Sequence, residues 1–356
     1  MSLPTDQFAI PATQKAWRIH RRGTPATALV LDENLPVPTP AKGEVLVKVQ
    51  AAALNPIGYK LMRQLPNFLA KRPHVAEHDF AGIVVNENGT EFHKGDPVFG
   101  CILYQQQTKT RQGSLAEYVT LPAEHLALRP ANITPTQAAG VPLVTLTAYQ
   151  ALFEFAKLEP GQSLFVNGGS TSVGAAAIQL AKSIGCKVTT TTSSRNEEFV
   201  KSLGADVVID YTKESPYKVL ERDPPTPKFH AILEAVGNID IPLYTHCEAY
   251  LAPGGIFVSV GPQPSRIGEV PSFLAYAFSA GLHPAWLGGT KRKWRNLFVK
   301  NKHEDLQRIA DLISEGKFKP VVDSVYSFQD ILKAYERIMS KRATGKVIVE
   351  VEPGTD

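Results

Sequence analysis

The period of hydrophobic and polar positions changes along the chain, and the change divides it. Between residues 15 and 125 the period is two. Glu44-Val-Leu-Val-Lys-Val-Gln50 alternates as a half-buried strand does, and Phe80 to Val85 is a second short apolar run. Glycine and proline punctuate this stretch at Gly43, Pro56, Gly82, Gly89, Gly95-Asp-Pro97 and Gly113. Short strands between frequent turn signals predict a β-rich, barrel-like or sandwich-like unit.

From about Val141 short apolar runs alternate with helical spacing. Ser163-Leu-Phe-Val-Asn167 reads as a strand that runs into a glycine-rich turn. Ala177, Leu180, Ala181 and Ile184 share one face of a helix predicted over 175–184, which Gly185 stops. A β-branched strand over 187–192, a helix over 195–203 and a strand over 206–210 follow. Two more strands over 229–233 and 255–260 flank a helix over 241–250. This alternation predicts βαβ units and a parallel sheet. Near the C-terminus, Leu306, Ile309, Ala310 and Ile313 form one stripe that Gly316 ends. Ser327 reads as the N-cap of another helix with Asp330 in the capping-box position. Phe328, Ile331, Leu332, Tyr335, Ile338 and Met339 would be its buried face. The last strand, Lys346-Val-Ile-Val-Glu-Val351, is expected to return to the first domain, because two late helices and a strand exceed what the sheet domain needs. No internal repeat or low-complexity tract interrupts the chain.

Length and composition refine this picture only a little. At 356 residues the chain suits two domains, taking roughly 100–200 residues for each. Lys and Arg number 38 against 34 Asp and Glu, a net charge of +4. So small an excess, without an aromatic RNA-binding motif, gives no reason to expect nucleic acid as a partner. Cys101, Cys186 and Cys247 are sparse and odd in number. They make no disulfide framework, fit a reducing compartment and are too few for a four-cysteine zinc lobe. Met1 to Thr13 is polar and lacks a signal-peptide core, so a cytoplasmic protein is expected. The most apolar window, Pro271 to Gly289, contains His283 and Pro284 and reads as no transmembrane helix.

The candidate chemistry centres on Asn167-Gly-Gly-Ser-Thr-Ser-Val-Gly174, between a predicted strand and a predicted helix. Such a turn presents unpaired backbone N–H groups and the positive end of the helix dipole, a place for a pyrophosphate. Gly168 and Gly169 permit the turn and a close approach, and Gly174 lets the helix pack on the sheet. Thr171 stands where a middle glycine is expected. Near the end of the next strand an NAD site wants an acid for the ribose hydroxyls. Thr190 to Asn196 holds none; it offers hydroxyls and Arg195. A guanidinium favours a 2′-phosphate, so these residues point to NADPH over NADH. Tyr211, after the third strand, is placed beside the adenosine end.

Four segments carry a resemblance: Ala53-Leu-Asn-Pro-Ile57, His78-Asp-Phe-Ala-Gly82, Leu146-Thr-Ala-Tyr-Gln150 and Thr344-Gly-Lys-Val-Ile348. With Lys201-Ser-Leu-Gly-Ala-Asp206, Lys319-Pro-Val-Val-Asp323 and the glycine turn, they make residues 15–351 resemble the medium-chain dehydrogenase/reductases. The likeness is to the zinc-independent, quinone-oxidoreductase-like branch, which includes quinone reductases, enone and alkenal double-bond reductases and fungal enoyl reductases. It implies an α/β architecture in which a GroES-like, β-rich catalytic domain (1–138 and 300–356) is interrupted by a Rossmann-type, doubly wound parallel-sheet nucleotide domain (139–299). A homodimer is the usual state in this family.

Zinc members place ligands where this chain has Asn55, His78 and, near the third, Leu143. Only the histidine is kept, and one imidazole does not make a zinc site. By resemblance Asn55 lies at the floor of the cleft, with Tyr59 as a proton relay and Lys60 as an oxyanion stabiliser. Gly58 stands where the family usually has Asp. Ser170, Thr171, Ser172 and Val173 would hold phosphate, and Ser194, Arg195 and Tyr211 the 2′-phosphate end. Thr147, Val236, Val260 and Gly261 would flank the nicotinamide half, and Lys346 is a further cofactor candidate. The expected activity is NADPH-dependent reduction of an α,β-unsaturated carbonyl or a quinone. The alternative is a non-catalytic, NADPH-binding regulatory protein on the same fold. The apolar Phe273 to Trp286 segment is read as subunit or core packing, or as pocket lining. The basic run Lys291-Arg-Lys-Trp-Arg295 after it reads as a solvated face in preference to a peripheral membrane contact.

Overall fold

A computed structural model describes residues 9–237, 241–261 and 289–354. The Phe273 to Trp286 segment lies outside the described residues, and so does nearly all of the apolar window around it. Among the described residues no helix is long and apolar enough to cross a membrane. The chain divides into two compact units. One comprises Met1–Leu143, Lys300–Glu315 and Pro320–Asp356; the other comprises Val144–Val299 and Gly316–Lys319.

The first unit is built on a seven-stranded sheet and a three-stranded one. Its central strand, Glu44–Ala53, pairs antiparallel with Asp79–Asn86, Tyr118–Pro122 and Lys346–Glu350. The final strand therefore enters the same sheet as the first long one. The alternation at 44–50 predicts a half-buried strand, yet this strand is covered on both faces. Val45, Val47 and Val49 enter the main core, while Leu46 packs on the other face with Val85 and Tyr118. Neighbouring strands supply the second cover, which a single strand's pattern does not announce. Short helices that the punctuation concealed interrupt the strands, among them Pro56–Gln64, Tyr104–Thr110 and Pro135–Ala139.

The C-terminal helices differ in detail from their pattern. Leu306, Ile309, Ala310 and Ile313 are all buried on the His303–Ser314 helix. The second helix, Ile331–Met339, is preceded by a 3-10 turn over Phe328–Asp330. The predicted capping box is absent, because Ser327 gives its hydroxyl to the Asp330 carboxylate at 2.8 Å in place of capping a backbone N–H. Leu332 is 39% exposed, so it leaves the predicted buried face, whereas Phe328, Ile331 and Tyr335 are buried. The 3-10 turn shifts the phase of the stripe read through residue 328.

The second unit holds a parallel six-stranded sheet. Its order is Val207–Asp210, Lys187–Thr192, Ser163–Asn167, Phe229–Glu234, Leu251–Ser259, Lys293–Asn296. This is the doubly wound order 3-2-1-4-5-6, with the first strand in the middle. The helix after that strand begins at Ser172, three residues before the predicted start. The helix predicted over 241–250 is shorter: Ile241–Thr245, then a 3-10 turn over Cys247–Ala249. In the last strand Lys293 and Arg295 are exposed and alternate with half-buried Trp294 and Asn296. Such charges keep a strand edge from pairing with other chains.

Gly345 leads into the final strand with φ +108°, and a Cβ there would meet Val321 at 2.7 Å. Gly345→Ala combines a strained backbone with a clash, and is expected to cost about 1–3 kcal/mol. Urea denaturation followed by circular dichroism checks it; an unchanged midpoint would contradict the assignment.

Candidate functional site

The second unit carries the glycine turn. Ser163–Asn167 pairs with Lys187–Thr192 on one side and Phe229–Glu234 on the other. The chain passes from this strand outwards to Lys187–Thr192 and Val207–Asp210 and then crosses to its other side as Phe229–Glu234, so the carboxyl ends of Ser163–Asn167 and Phe229–Glu234 border a crevice where doubly wound sheets bind ligands. The turn occupies that end. Gly168 has φ +92°, and a Cβ there would meet Val236 Cγ2 at 2.5 Å. A Cβ at Gly169 would fall 2.2 Å from Thr190 Oγ1, and one at Gly174 would fall 2.1 Å from Gly168 O. No side chain fits at any of the three. Thr171 needs no glycine, because it is the N-cap of the Ser172–Ser183 helix with φ −72°. Its hydroxyl accepts from Gly174 N at 3.0 Å and donates to Gly168 O at 2.8 Å. The turn is tied sideways as well: Gly168 N donates to Thr191 Oγ1 at 2.8 Å, and Gly169 N to Thr191 O at 2.9 Å.

The other candidates of this unit gather at the same ends of the strands. Ser170, Thr171, Ser172 and Val173 are half-buried at the start of the helix. The buried Glu234 carboxylate accepts from Val236 N at 2.9 Å, Gly237 N at 3.1 Å and the Ser259 hydroxyl at 3.2 Å. It thereby fixes the loop of Val236 against Val260 and Gly261. A Cβ on Gly261 would meet Gly237 Cα at 2.7 Å. Thr147 stands elsewhere, half-buried on the Pro142–Tyr149 helix just before a π-helical stretch, Gln150–Phe155. Ser194 and Arg195 form a 3-10 turn beyond the second strand, and both are exposed. Tyr211, also exposed, is held by its N–H to Thr192 O at 3.2 Å.

Sequence reading missed one residue here. Asp210 ends the third strand opposite Thr192, and its carboxylate accepts the Ser194 hydroxyl. It also accepts from Thr212 N at 2.9 Å and Thr212 Oγ1 at 2.7 Å. The Ser194 and Thr212 hydrogen bonds hold its pKa down at about 2. The acid absent from the second strand is thus present in space, supplied by its neighbour.

In the first unit a polar cluster is buried where three strands meet. Ala53 is opposite Asp79 and Ile348 in the ladders, which brings Asn55, Asp79 and Lys346 together from positions as far as 291 residues apart. Lys346 Nζ donates to Asp79 Oδ2 at 2.8 Å and to Asn55 Oδ1 at 2.7 Å. Their exposures are 4%, 0% and 1%. Asn55 Nδ2 donates to Asp79 Oδ2 at 3.0 Å and Ala53 O at 3.3 Å. Both of its amide hydrogens are therefore committed, and it has none to give a carbonyl substrate. Lys346, the further cofactor candidate, thus gives two of its three ammonium hydrogens to Asn55 and Asp79. Asp79 takes a further bond from Leu143 N at 2.9 Å.

Beside this cluster lies Glu77, whose carboxylate borders Gly58. A Cβ on Gly58 would meet Glu77 Oε1 at 2.2 Å. The space for a side chain at 58 is filled by a carboxylate from the neighbouring loop. Glu77 accepts from Asn55 N at 2.9 Å and from the Tyr335 hydroxyl at 2.6 Å. Burial dominates and pushes its pKa up to about 7, although both hydrogen bonds oppose it. Tyr59, on the Pro56–Gln64 helix, packs in the main core. Burial raises its pKa, so proton release from this phenol is costly. Lys60, next on the helix, is half-buried.

The donor set does not fit a catalytic zinc. His78 Nδ1 lies 2.7 Å from Ile102 O, and burial lowers the pKa of its imidazole. Asn55 and Leu143 offer no anionic ligand, Asp79 is paired with Lys346, and Cys101 Sγ donates to Asn301 Oδ1 at 2.9 Å. Among the described residues no group of three or more His, Cys, Asp or Glu could hold a metal ion.

Residues 41–131 match the alcohol dehydrogenase GroES-like domain, and residues 203–349 match a family model described as zinc-binding dehydrogenase. The chain is 34% identical to the trans-enoyl reductase pgmF of Aspergillus terreus, over 96% of this chain and 98% of that one. It is also 34% identical to the 2-methylene-furan-3-one reductase of Solanum lycopersicum, over 97% and 81%. Among solved structures, the quinone oxidoreductase from Coxiella burnetii superposes with a TM-score of 0.77 at 28% identity, covering 95% of this chain and 99% of that one.

Two outcomes follow from the buried cluster. Lys346→Met leaves Asp79 buried and unpaired, and is expected to destabilise the first unit by about 3–5 kcal/mol in urea. Glu77 is raised from the usual 4.5 to about 7. Its contribution is full below pH 4.5 and is lost as pH climbs through 7, on the order of 3 kcal/mol. Glu77→Gln is expected to remove that slope between pH 5 and 8; parallel curves for parent and variant would refute it.

Proposed function

The chain belongs to the medium-chain dehydrogenase/reductase superfamily, in its quinone and enoyl reductase branch, and from that premise we propose that it uses NADPH, without zinc, to reduce the C=C bond of an α,β-unsaturated carbonyl or a quinone. It is a reductase of small molecules bearing a GroES-like domain and a nucleotide-binding domain. The observation that carries the nucleotide reading is the cradle of Gly168, Gly169 and Gly174, where no Cβ fits, at the start of a 12-residue helix; the preference for NADPH rests on Arg195 and the lack of an acid from Thr190 to Asn196. Relatives named for enoyl, methylene-furanone and quinone substrates make enoyl compounds, enones and quinones the classes to test.

The residues divide the work. Ser170 to Val173 receive the pyrophosphate at the helix N-terminus. Arg195 and Tyr211 receive the 2′-phosphate, and no described residue hydrogen-bonds or pairs with the Arg195 guanidinium. Val236, Val260, Gly261 and Thr147 bound the nicotinamide half. NADPH, when bound, supplies the hydride. Lys60 stabilises the oxygen on which negative charge develops. Asn55 and Lys346 act by position: with Asp79 they lock the loop that leads into the Pro56–Gln64 helix carrying Lys60. Tyr59 is a poor proton donor where it is buried, so the proton for the α-carbon comes from water. The donor set around His78 supports a zinc-free reaction. A homodimer in the cytoplasm completes the proposal.

Purified chain is mixed with NADPH or NADH and a panel of enones, enals, enoyl thioesters and quinones, with absorbance at the reduced nicotinamide band followed. NADPH oxidation that survives chelators is expected, and Arg195→Ala is expected to raise KM for NADPH about tenfold or more. Activity abolished by chelation would overturn the zinc-free reading. NADPH binding without turnover on any of these substrates would make the chain a regulatory nucleotide binder.

A further inference from the structure

The nucleotide end that Arg195 marks also contains a carboxylate. Asp210 ends the strand beside Lys187–Thr192 and is opposite Thr192 in the ladder. One carboxylate oxygen accepts the Ser194 hydroxyl; the other accepts Thr212 N and Thr212 Oγ1 at 2.9 and 2.7 Å. With three donors on it, Asp210 is anchored in place and stays ionised at neutral pH.

The direction of the Ser194 bond decides what a ligand meets. A serine hydroxyl has one hydrogen and two lone pairs. Its hydrogen goes to Asp210, because an ionised carboxylate only accepts. What Ser194 offers a ligand is therefore lone pairs. A ribose 2′-hydroxyl can donate to them. A 2′-phosphate near neutral pH has only acceptor oxygens to present and gains nothing. Arg195, one residue on, has the opposite preference. The site is thus built from two neighbours that favour different cofactors.

We propose that Asp210, acting through Ser194, is the residue that keeps NADH acceptable at a site whose Arg195 draws NADPH. Asp210 touches neither the nicotinamide nor the phosphate; it is a positioning residue that sets the hydrogen-bond polarity of Ser194. The proposal rests on the reading of this strand end as the adenosine-ribose subsite.

Asp210→Asn is the informative change because it is isosteric. The Asn oxygen keeps the two bonds from Thr212, and its amide nitrogen takes the place of the oxygen that faced Ser194. That nitrogen donates to Ser194 Oγ, so the serine hydrogen is released towards the ligand. Dissociation constants for NADPH and NADH are measured by isothermal titration calorimetry on the full chain, with no substrate present. The parent is expected to bind both. Asp210→Asn is expected to shift the ratio of affinities towards NADPH about tenfold, the size of one hydrogen bond gained or lost. In a Ser194→Ala background the same change is expected to leave the ratio where Ser194→Ala alone puts it. A ratio unmoved by Asp210→Asn, or moved equally without the Ser194 hydroxyl, overturns the role of Asp210. A chain that binds neither nucleotide overturns the subsite reading itself, and the two failures are told apart in the first titration.

Discussion

The ion pair of Lys346 with Asp79 is the constraint on which the first unit depends. Both groups are nearly inaccessible to water, and the 2.8 Å bond joins the strand that opens at residue 79 to the one that opens at 346. Taking two charges out of water is expensive, so the pair is tolerated only because its remaining valences are filled. Asn55 fills them on one side and Leu143 N on the other. The consequence is specificity of register. A shift of the final strand by one residue would leave an ammonium and a carboxylate buried apart. Glu77 extends the same stitch to the last helix through Tyr335, with its carboxylate in the space that a side chain at 58 would need.

The second unit is organised by a steric constraint. Three glycines sit where any Cβ would strike a neighbour within 2.5 Å, and this lets the chain turn sharply enough to present a helix N-terminus at the carboxyl end of the central strand. The departure at Thr171 is a replacement of one device by another. Its side chain closes the turn by capping the helix that a middle glycine would merely have permitted.

Much of this was legible in one sequence. The alternation of strand and helix from Ser163 onward follows from local period, and the strands appear where the β-branched runs stand. The turn was readable because glycine needs are local. The losses have physical causes. The capping box at Ser327 failed because Asp330 offered its carboxylate to the hydroxyl, a competition that spacing does not resolve. Leu332 left the buried face because a 3-10 turn re-phased the helix. Asn55 is legible as a candidate by its position, but the engagement of both its amide hydrogens by Asp79 and Ala53 exists only in the fold.

The sequence by itself determined the alternation of strand and helix over residues 163–210, the glycine turn and the family, since each rests on residues close together in the chain or on ordered motifs. Only the tertiary structure decided which charges meet. Lys346 and Asp79, 267 residues apart, share no local signal. Asp210 stands beside the end of the second strand from a neighbouring strand, where a search along Thr190 to Asn196 finds hydroxyls and Arg195 but no acid. Periodicity reports what a residue's own element buries. The partner of a polar side chain is set by which strands lie side by side, and that ordering exists only in the folded sheet.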